Sequence, residues 1–427
     1  MPTRFLNFLS RCLLTVFVLF VSSWFIPPNS STAIGDDRIP RVAVVTTEWR
    51  HNAHADVIAS RLVQGNTLDG KGEFPKLKLV SAYVDQFPAN DMSRGLAKEH
   101  GFTIYDSVEK ALTLGGEKLA VDGVLMICEH GNYPRNENGS IQHPKRRIFG
   151  EIIKVFEKSG RVVPVFSDKH LADNWADATW IYGESQRLKI PLMAGSSIPV
   201  LWRYPEADVE RGAPLKEIVA TSYGALDAYG FHALEMVQCL AERRKGGETG
   251  VKQVRCLEGD AIWAAGKQGL FDHKLLDEAL SRLKVRPLPA GKTIEELAKK
   301  PVLYVIDYRD GLRASILTPG GPVAEWTAAW KYADGRTQST CFSTQEARPY
   351  MHFTYLLKGA EQMIHTGKPT WPVERTLLTS GMLDGVLISR KRGGEALEAP
   401  YLNIAYQSDW NWQMPPSPPP GRPSAEQ

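Results

Sequence analysis

Residues 121–130 read Val121-Asp-Gly-Val-Leu-Met-Ile-Cys128-Glu129-His130, and the fold is decided by how this stretch is read. The run from Val124 to Cys128 is continuously apolar, so a strand made of it is covered on both faces, as inside a parallel sheet. A carboxylate and an imidazole follow at once, where the end of the strand delivers them. Outward from it, β-rich runs at 42–47, 77–85, 102–105, 162–167 and 190–194 alternate with helical stretches at 54–62, 91–100, 107–112, 147–158 and 173–188. This alternation predicts an α/β fold, a Rossmann-like doubly wound parallel sheet over residues 34–205. After Pro205 the rhythm changes. A helix at 223–243 precedes β-like runs at 251–263, 302–307, 312–317, 324–332 and 338–343, then helices at 350–365 and 373–389 and a last strand at 401–405. Strands in runs with segregated helices predict an α+β domain over 206–410, with a large open, mainly antiparallel sheet.

Composition narrows the function. The 427 residues carry 51 Lys and Arg against 48 Asp and Glu, so the basic stripe that nucleic-acid backbones demand is missing. The apolar run 12–26, behind Arg4 and Arg11 and ahead of Ser31-Thr-Ala33, is shorter than the ~20 residues of a membrane span. Residues 1–33 are therefore read as a signal peptide, with an uncleaved anchor as the alternative. This places the protein in the periplasm or outside the cell, with no membrane contact beyond that segment. Cys128, Cys239, Cys256 and Cys341 are widely spaced and read as buried free thiols, with a single disulfide as the alternative. The Pro-rich segment 411–427 reads as a disordered, solvated tail. Alternation in Trp326-Thr-Ala-Ala-Trp330 marks a covered face, read as core or dimer surface ahead of a sugar-stacking platform. A homo-oligomer through the second sheet is the corresponding expectation.

In open α/β sheets, ligands lie outside the C-terminal ends of the strands. His51 and His54 follow the first strand, Glu129 and His130 the fourth, Asp168, Lys169 and His170 the fifth, and Ser196 and Ser197 the last. These groups are expected to meet in one crevice. Imidazoles and carboxylates suit a transition metal, but there is no H-E-x-x-H or comparable spacing, so a polar site without metal is the preferred reading. Structural roles compete. Lys169 could pair with Glu129 or Asp168, Asp85 and Asp173 could cap helices, and His232 could be a core histidine. Residues 131–139 read as a surface loop before a substrate flap.

Several segments resemble the Gfo/Idh/MocA oxidoreductases, a family named for glucose–fructose oxidoreductase and inositol dehydrogenase. They are Leu96-Ala-Lys-Glu-His-Gly101 with Ile104-Tyr-Asp-Ser107, the strand Val121–Ile127, Lys169, Gly230-Phe-His232, and Val373-Glu-Arg-Thr-Leu-Leu-Thr-Ser-Gly381 followed by Tyr401-Leu-Asn-Ile-Ala-Tyr406. The resemblance implies NAD or NADP in the first domain and a sugar or polyol over the second sheet. Lys169 and His232 would then carry the proton chemistry, with Asp168, Glu129 and His130 beside them. Thr46, Arg50, His54, Asp85, Glu129 and Lys169 would lie along the cofactor, Asp85 against a ribose hydroxyl. The chain departs from this pattern at the phosphate loop. In place of G-x-G-x-x-G stands Thr46-Thr-Glu-Trp-Arg-His-Asn52, with Glu48 near the expected diphosphate. A bare carboxylate about 4 Å from a phosphate costs on the order of 4 kcal/mol at an effective dielectric of 20. Two other readings keep the fold: a cofactor-independent acid–base lyase, isomerase or hydrolase acting on carbohydrate, and a non-catalytic carbohydrate-binding protein.

Overall fold

The computed structural model describes residues 38–422. The export segment expected at 1–33 and the end of the tail, 423–427, lie outside the described residues. The first sheet has six strands: β1 (Arg41–Thr46), β2 (Lys78–Val84), β3 (Thr103–Tyr105), β4 (Gly123–Ile127), β5 (Val165–Asp168) and β6 (Leu192–Gly195). All of its pairs are parallel and the order is β3-β2-β1-β4-β5-β6, the doubly wound arrangement. Its helices are α1 (His54–Ala59), α2 (Arg61–Gln64), α3 (Ser93–His100), α4 (Val108–Thr113), α5 (Lys145–Ser159) and α6 (Trp175–Leu188). β1 and β4 lie at the centre and are apolar on both faces. Val42 and Val44 join one core cluster while Ala43 and Val45 join another, as a doubly covered sheet requires.

The second sheet comprises β7 (Trp202–Tyr204), β8 (Leu215–Thr221), β9 (Val251–Glu258), β10 (Val302–Tyr308), β11 (Arg313–Thr318), β12 (Trp326–Tyr332), β13 (Thr337–Ser343) and β14 (Leu397–Glu398). The order is β14-β9-β10-β11-β8-β12-β13-β7, antiparallel except between β11 and β8. α7 (Leu226–Ala241) and α12 (Val373–Lys391) cover one face through Leu234, Val237, Leu378 and Val386. α11 (His352–Thr366) returns to the first sheet, where Leu356, Ala360 and Ile364 pack with Val42, Val44 and Leu125. Gly123 makes that approach close, since a Cβ there would stand 2.9 Å from the Ile364 side chain. Among the described residues no helix is long and apolar enough to cross a membrane, and all four cysteines are free and buried.

Three expectations need correction. The strand expected over 251–263 stops at Glu258: Gly259 takes φ 60° and α8 (Asp260–Lys267) begins, so Ile262 and Trp263 are helical. The strand expected at 401–405 is instead a short 3₁₀ turn, Pro400–Leu402, running into irregular chain. The other face of the second sheet is covered from within the chain. α8, α9 (His273–Leu280) and α10 (Ile294–Leu297) bury Leu257, Leu303, Val305 and Leu317 under Trp263, Leu275, Leu276 and Ala279. Finally, residues 411–422 are a strap and not a free tail. Trp412 Nε1 donates to Leu201 O (2.7 Å), Trp202 Nε1 to Pro416 O (2.8 Å) and Gln345 Nε2 to Pro419 O (2.6 Å). Extended proline-rich backbone makes no hydrogen bonds of its own, which leaves its carbonyls as acceptors for buried donors.

Leu275 is fully buried under the second sheet, whereas Val285 is 80% exposed. In urea unfolding, Leu275→Ala is expected to cost about 2–5 kcal/mol and Val285→Ser less than about 0.5 kcal/mol. Equal, small effects would mean that the α8–α10 layer does not cover the sheet.

Candidate functional site

β1, β4, β5 and β6 end at a cleft of about 410 Å³, closed from the other side by α7, β12 and the segment before α11. Its floor is a buried ion network. Lys145, fully buried at the start of α5, donates to Glu129 Oε1 (2.6 Å) and to the carbonyls of Asp168 (3.1 Å) and His170 (2.7 Å). The other Glu129 oxygen pairs with Lys169 Nζ at 2.9 Å. Burial alone would raise the Glu129 carboxyl, but the two ammonium groups, Lys145 first, hold it well below its ordinary range. Burial works against the Lys169 charge, yet Glu129 outweighs it and the ammonium is stabilised. Lys169 also takes φ 61°, in the left-handed region that costs a non-glycine residue roughly 1–2 kcal/mol. Its Nζ lies 3.4 Å from Ala228 O, beside Tyr229.

Two imidazole pairs flank this lysine. His54, the first residue of α1, places Nδ1 2.6 Å from Asp168 Oδ2. With Nδ1–H donated to the buried carboxylate, Nε2 carries the lone pair, the orientation of a general base. Across the cleft, His232 on α7 lies 2.6 Å from Ser196 Oγ. That oxygen accepts the Ile198 N–H (3.0 Å), and among the described residues His232 Nδ1 is the acceptor within reach of its proton, so the hydroxyl is assigned as donor and the imidazole keeps its proton on Nε2. Burial, then the Lys169 charge, pushes His232 well below its ordinary pKa, which makes it a neutral hydrogen-bond donor. Tyr229 and Trp326 stack beside it, 6.1 Å apart at 16°, and Tyr223 packs 4.8 Å from Trp326.

A third imidazole group stands near His54. His130 lies 5.4 Å from it, ring to ring; Phe353 lies 5.1 Å from His54 and 4.5 Å from His352. Burial lowers His130 to about 3, aided by His54 and Lys169, and lowers His352 to about 3, aided by Arg61. Beneath the floor, His170 Nε2 pairs with Asp173 Oδ1 (2.9 Å), which also meets His143 Nδ1 (3.0 Å). Burial and Lys145 oppose the His170 charge, but Asp173 and Glu129 prevail and its pKa is raised.

The strand-end residues thus meet as the sequence suggests. His54, Glu129, His130, Lys169, His170, Ser197 and His232 line the cleft, and Asp168 and Ser196 stand one hydrogen bond behind. Other expected residues do not join them. His51 is exposed, and Thr46 is buried with Oγ1 on Ile127 O. Glu48 is not a bare carboxylate, because Arg50 Nε binds it at 2.5 Å; Arg50 in turn reaches His130 Nδ1 at 3.4 Å. Asp85 already accepts from Tyr83 and Tyr133 and pairs with Arg147, so its carboxylate is engaged where a ribose was expected. Asp173 is no cap either, since α6 is capped by Asn174. His143, Tyr229, Trp326 and His352 also line the cleft. For His352 no local signal exists, and the covered-strand pattern ranks a sugar-stacking role for Trp326 behind core or dimer surface. Among the described residues no cluster of His, Cys, Asp or Glu is arranged to hold a metal ion.

A dinucleotide in this fold type rests its diphosphate on the turn between β1 and α1. The residues there do not fit one. Trp49 is fully buried against Phe102, where glycine would let backbone approach a phosphate. The first turn of α1 carries its own anion: buried Asp56 accepts from Asn52 N (2.9 Å) and pairs with Arg348 (2.7 Å). Buried Arg61 clamps the same segment through Pro349 O (2.5 Å) and Tyr350 O (2.8 Å).

No family model and no curated protein sequence matches the chain. Solved structures do. GenD2 from gentamicin A biosynthesis, in complex with NAD, aligns over 87% of this chain and 99% of its own, at 13% identity and a TM-score of 0.55. A protein from Sinorhizobium meliloti 1021 assigned as a myo-inositol dehydrogenase covers 84% and 99%, at 12% identity and 0.51. A myo-inositol dehydrogenase from Corynebacterium glutamicum covers 84% and 99%, at 11% and 0.50. The likeness is one of fold: the chain has the two-sheet architecture of Gfo/Idh/MocA-type dehydrogenases.

The His170–Asp173 pair sets a pH dependence. A raised histidine pKa gives stability that is complete below the unfolded value of about 6.5 and lost as pH rises through the folded value. The lowered Asp173 pKa gives stability present above about 4 and lost in acid. Asp173→Asn is therefore expected to destabilise most between about pH 5 and 6.5, by roughly 3 kcal/mol, and less by about pH 9. A flat difference across urea titrations at these pH values would refute the pairing.

Proposed function

We propose that this protein is an enzyme that acts on a sugar or polyol by proton transfer in this cleft, an isomerase or lyase working without a bound dinucleotide. One observation carries the reading. The His54–Asp168 pair and the Glu129-held Lys169 share a single cleft, while the diphosphate turn is filled by Asp56 and Arg348. In this mechanism His54 Nε2 removes a proton from a substrate carbon or hydroxyl, and Asp168 steadies the imidazolium that forms. Lys169 stays cationic and faces the oxygen on which negative charge develops. His232 donates from Nε2 to a hydroxyl, and the Tyr229–Trp326 wall offers an apolar surface to a ring. The substrate class is supported by the inositol dehydrogenases of the same fold.

A second reading, a nicotinamide-dependent oxidoreductase, is favoured by the NAD complex of GenD2. It needs a dinucleotide seated differently from the usual cradle. In either case residues 1–33 are proposed to direct export, which N-terminal sequencing of the secreted protein checks.

Incubating the protein with aldoses, ketoses and inositols in heavy water, followed by NMR, is expected to show carbon-bound deuterium in at least one of them. His54→Ala and Lys169→Met should each slow that exchange by about 10²–10⁴-fold, measured below the melting temperature of each variant where circular dichroism shows it folded. Nicotinamide released in stoichiometric amount on heat denaturation, or turnover only with added NAD(P), would establish the second reading instead.

A further inference from the structure

Three buried polar atoms of the cleft lining have no hydrogen-bond partner among the described residues: His130 Nε2, His352 Nδ1 and Trp326 Nε1. They fall into two groups. His130 and His352 belong with His54 and Phe353 at the start of α1; Trp326 belongs with Tyr223, Tyr229 and His232 on the opposite wall. Lys169 lies between the groups, bound to Glu129 next to His130 and reaching Ala228 O next to Tyr229. Leaving such atoms unpaired is costly, and a ligand that supplies partners removes the cost.

The chemistry of each group selects its partner. His130 accepts from Arg50 at Nδ1 and so presents its Nε2–H, while His352 Nδ1 is a second ring nitrogen without a partner; a hydroxyl, itself donor and acceptor, can satisfy either. The aromatic wall with its single indole N–H and the His232 donor suits a ring with an apolar face and a hydroxylated edge. The volume, about 410 Å³, lies within the range that encloses ligands larger than a single small ring.

We propose that the cleft binds a neutral disaccharide or glycoside, one ring against Tyr229 and Trp326, the second among His54, His130 and His352, with the linkage beside Lys169. This rests on the reading of the cleft as a sugar site and adds its extent: the second ring takes the place beside α1 that this fold type otherwise gives to a cofactor.

Calorimetric titration of the full chain with cellobiose, maltose, lactose, sucrose, glucose, sodium pyrophosphate and NAD tests it. At least one disaccharide is expected to bind about tenfold or more tightly than glucose. His352→Leu should abolish that gain, whereas Trp326→Phe should weaken the binding of glucose and disaccharide together. The comparison of disaccharide with glucose in the unaltered protein stands even if a variant misfolds. Disaccharides no tighter than glucose would overturn the second subsite while glucose binding upholds the sugar site. Binding of pyrophosphate or NAD that His352→Leu removes would overturn the assignment of this end to a sugar. No sugar binding at all would overturn both the subsite and the proposed function.

Discussion

The cleft depends on one interaction, the buried ion pair between Lys145 and Glu129. Lys145 is the first residue of α5, where the helix dipole disfavours a cation, and no acidic residue stands in that first turn. The ammonium is tolerated because Glu129 and the carbonyls of Asp168 and His170 surround it. Those three acceptors come from the ends of β4 and β5, so one side chain ties two central strands to the helix that connects them. Removing either partner of such a buried pair costs about 3–5 kcal/mol, because the other charge is stranded. The same tie fixes the carbonyls of the residues before and after Lys169, which helps hold a lysine at φ 61° with its charge against Glu129. Strain at that residue and order in the floor have one origin.

The first sheet is legible in the sequence because continuous apolar strands and helical periodicity leave few alternatives, and the strand-end rule turns strand positions into a site. Glu129, His130, Asp168 and Lys169 are found where the pattern of 121–130 and 162–167 puts them. What escapes is what depends on distant chain. The run 251–263 returns to apolar residues at Ile262 and Trp263, and period alone does not separate a buried strand from a helix; Gly259 at φ 60° makes the break. The strap at 411–422 is invisible in composition because its bonds run through backbone carbonyls to chain more than two hundred residues away: Trp202 donates to Pro416 O, and the strap's own Trp412 donates to Leu201 O. His352 carries no local mark and gains its place only because α11 leaves the second sheet for the first.

That return of α11 also explains the altered turn after β1. Arg348, Pro349 and Tyr350 precede α11, and Asp56 and Arg61 hold them against α1. An anion from the chain itself therefore occupies the first turn of α1, where a ligand's phosphate would otherwise sit. Asp56 and Arg348 satisfy each other under cover, so admitting a diphosphate would mean separating a buried pair and placing two anions at one helix end. The exchange yields a wall: the segment so anchored delivers His352 and Phe353 against His54.

Charge is divided across the cleft in a way that suits proton transfer to and from a neutral ligand. Lys169 is fixed as a cation by a carboxylate that is itself held ionised, while His130, His232 and His352 are held neutral by burial. A neutral imidazole next to a fixed cation neither repels it nor competes for its counter-ion, so three hydrogen-bonding rings surround Lys169 without diluting its field. His143 and His170 share Asp173 beneath the floor, whereas among the rings around Lys169 it is His54 that has a buried carboxylate on its ring, and there the site provides for an imidazolium to form. The base is singled out among the rings around Lys169 by its partner, and not by its position in the sequence.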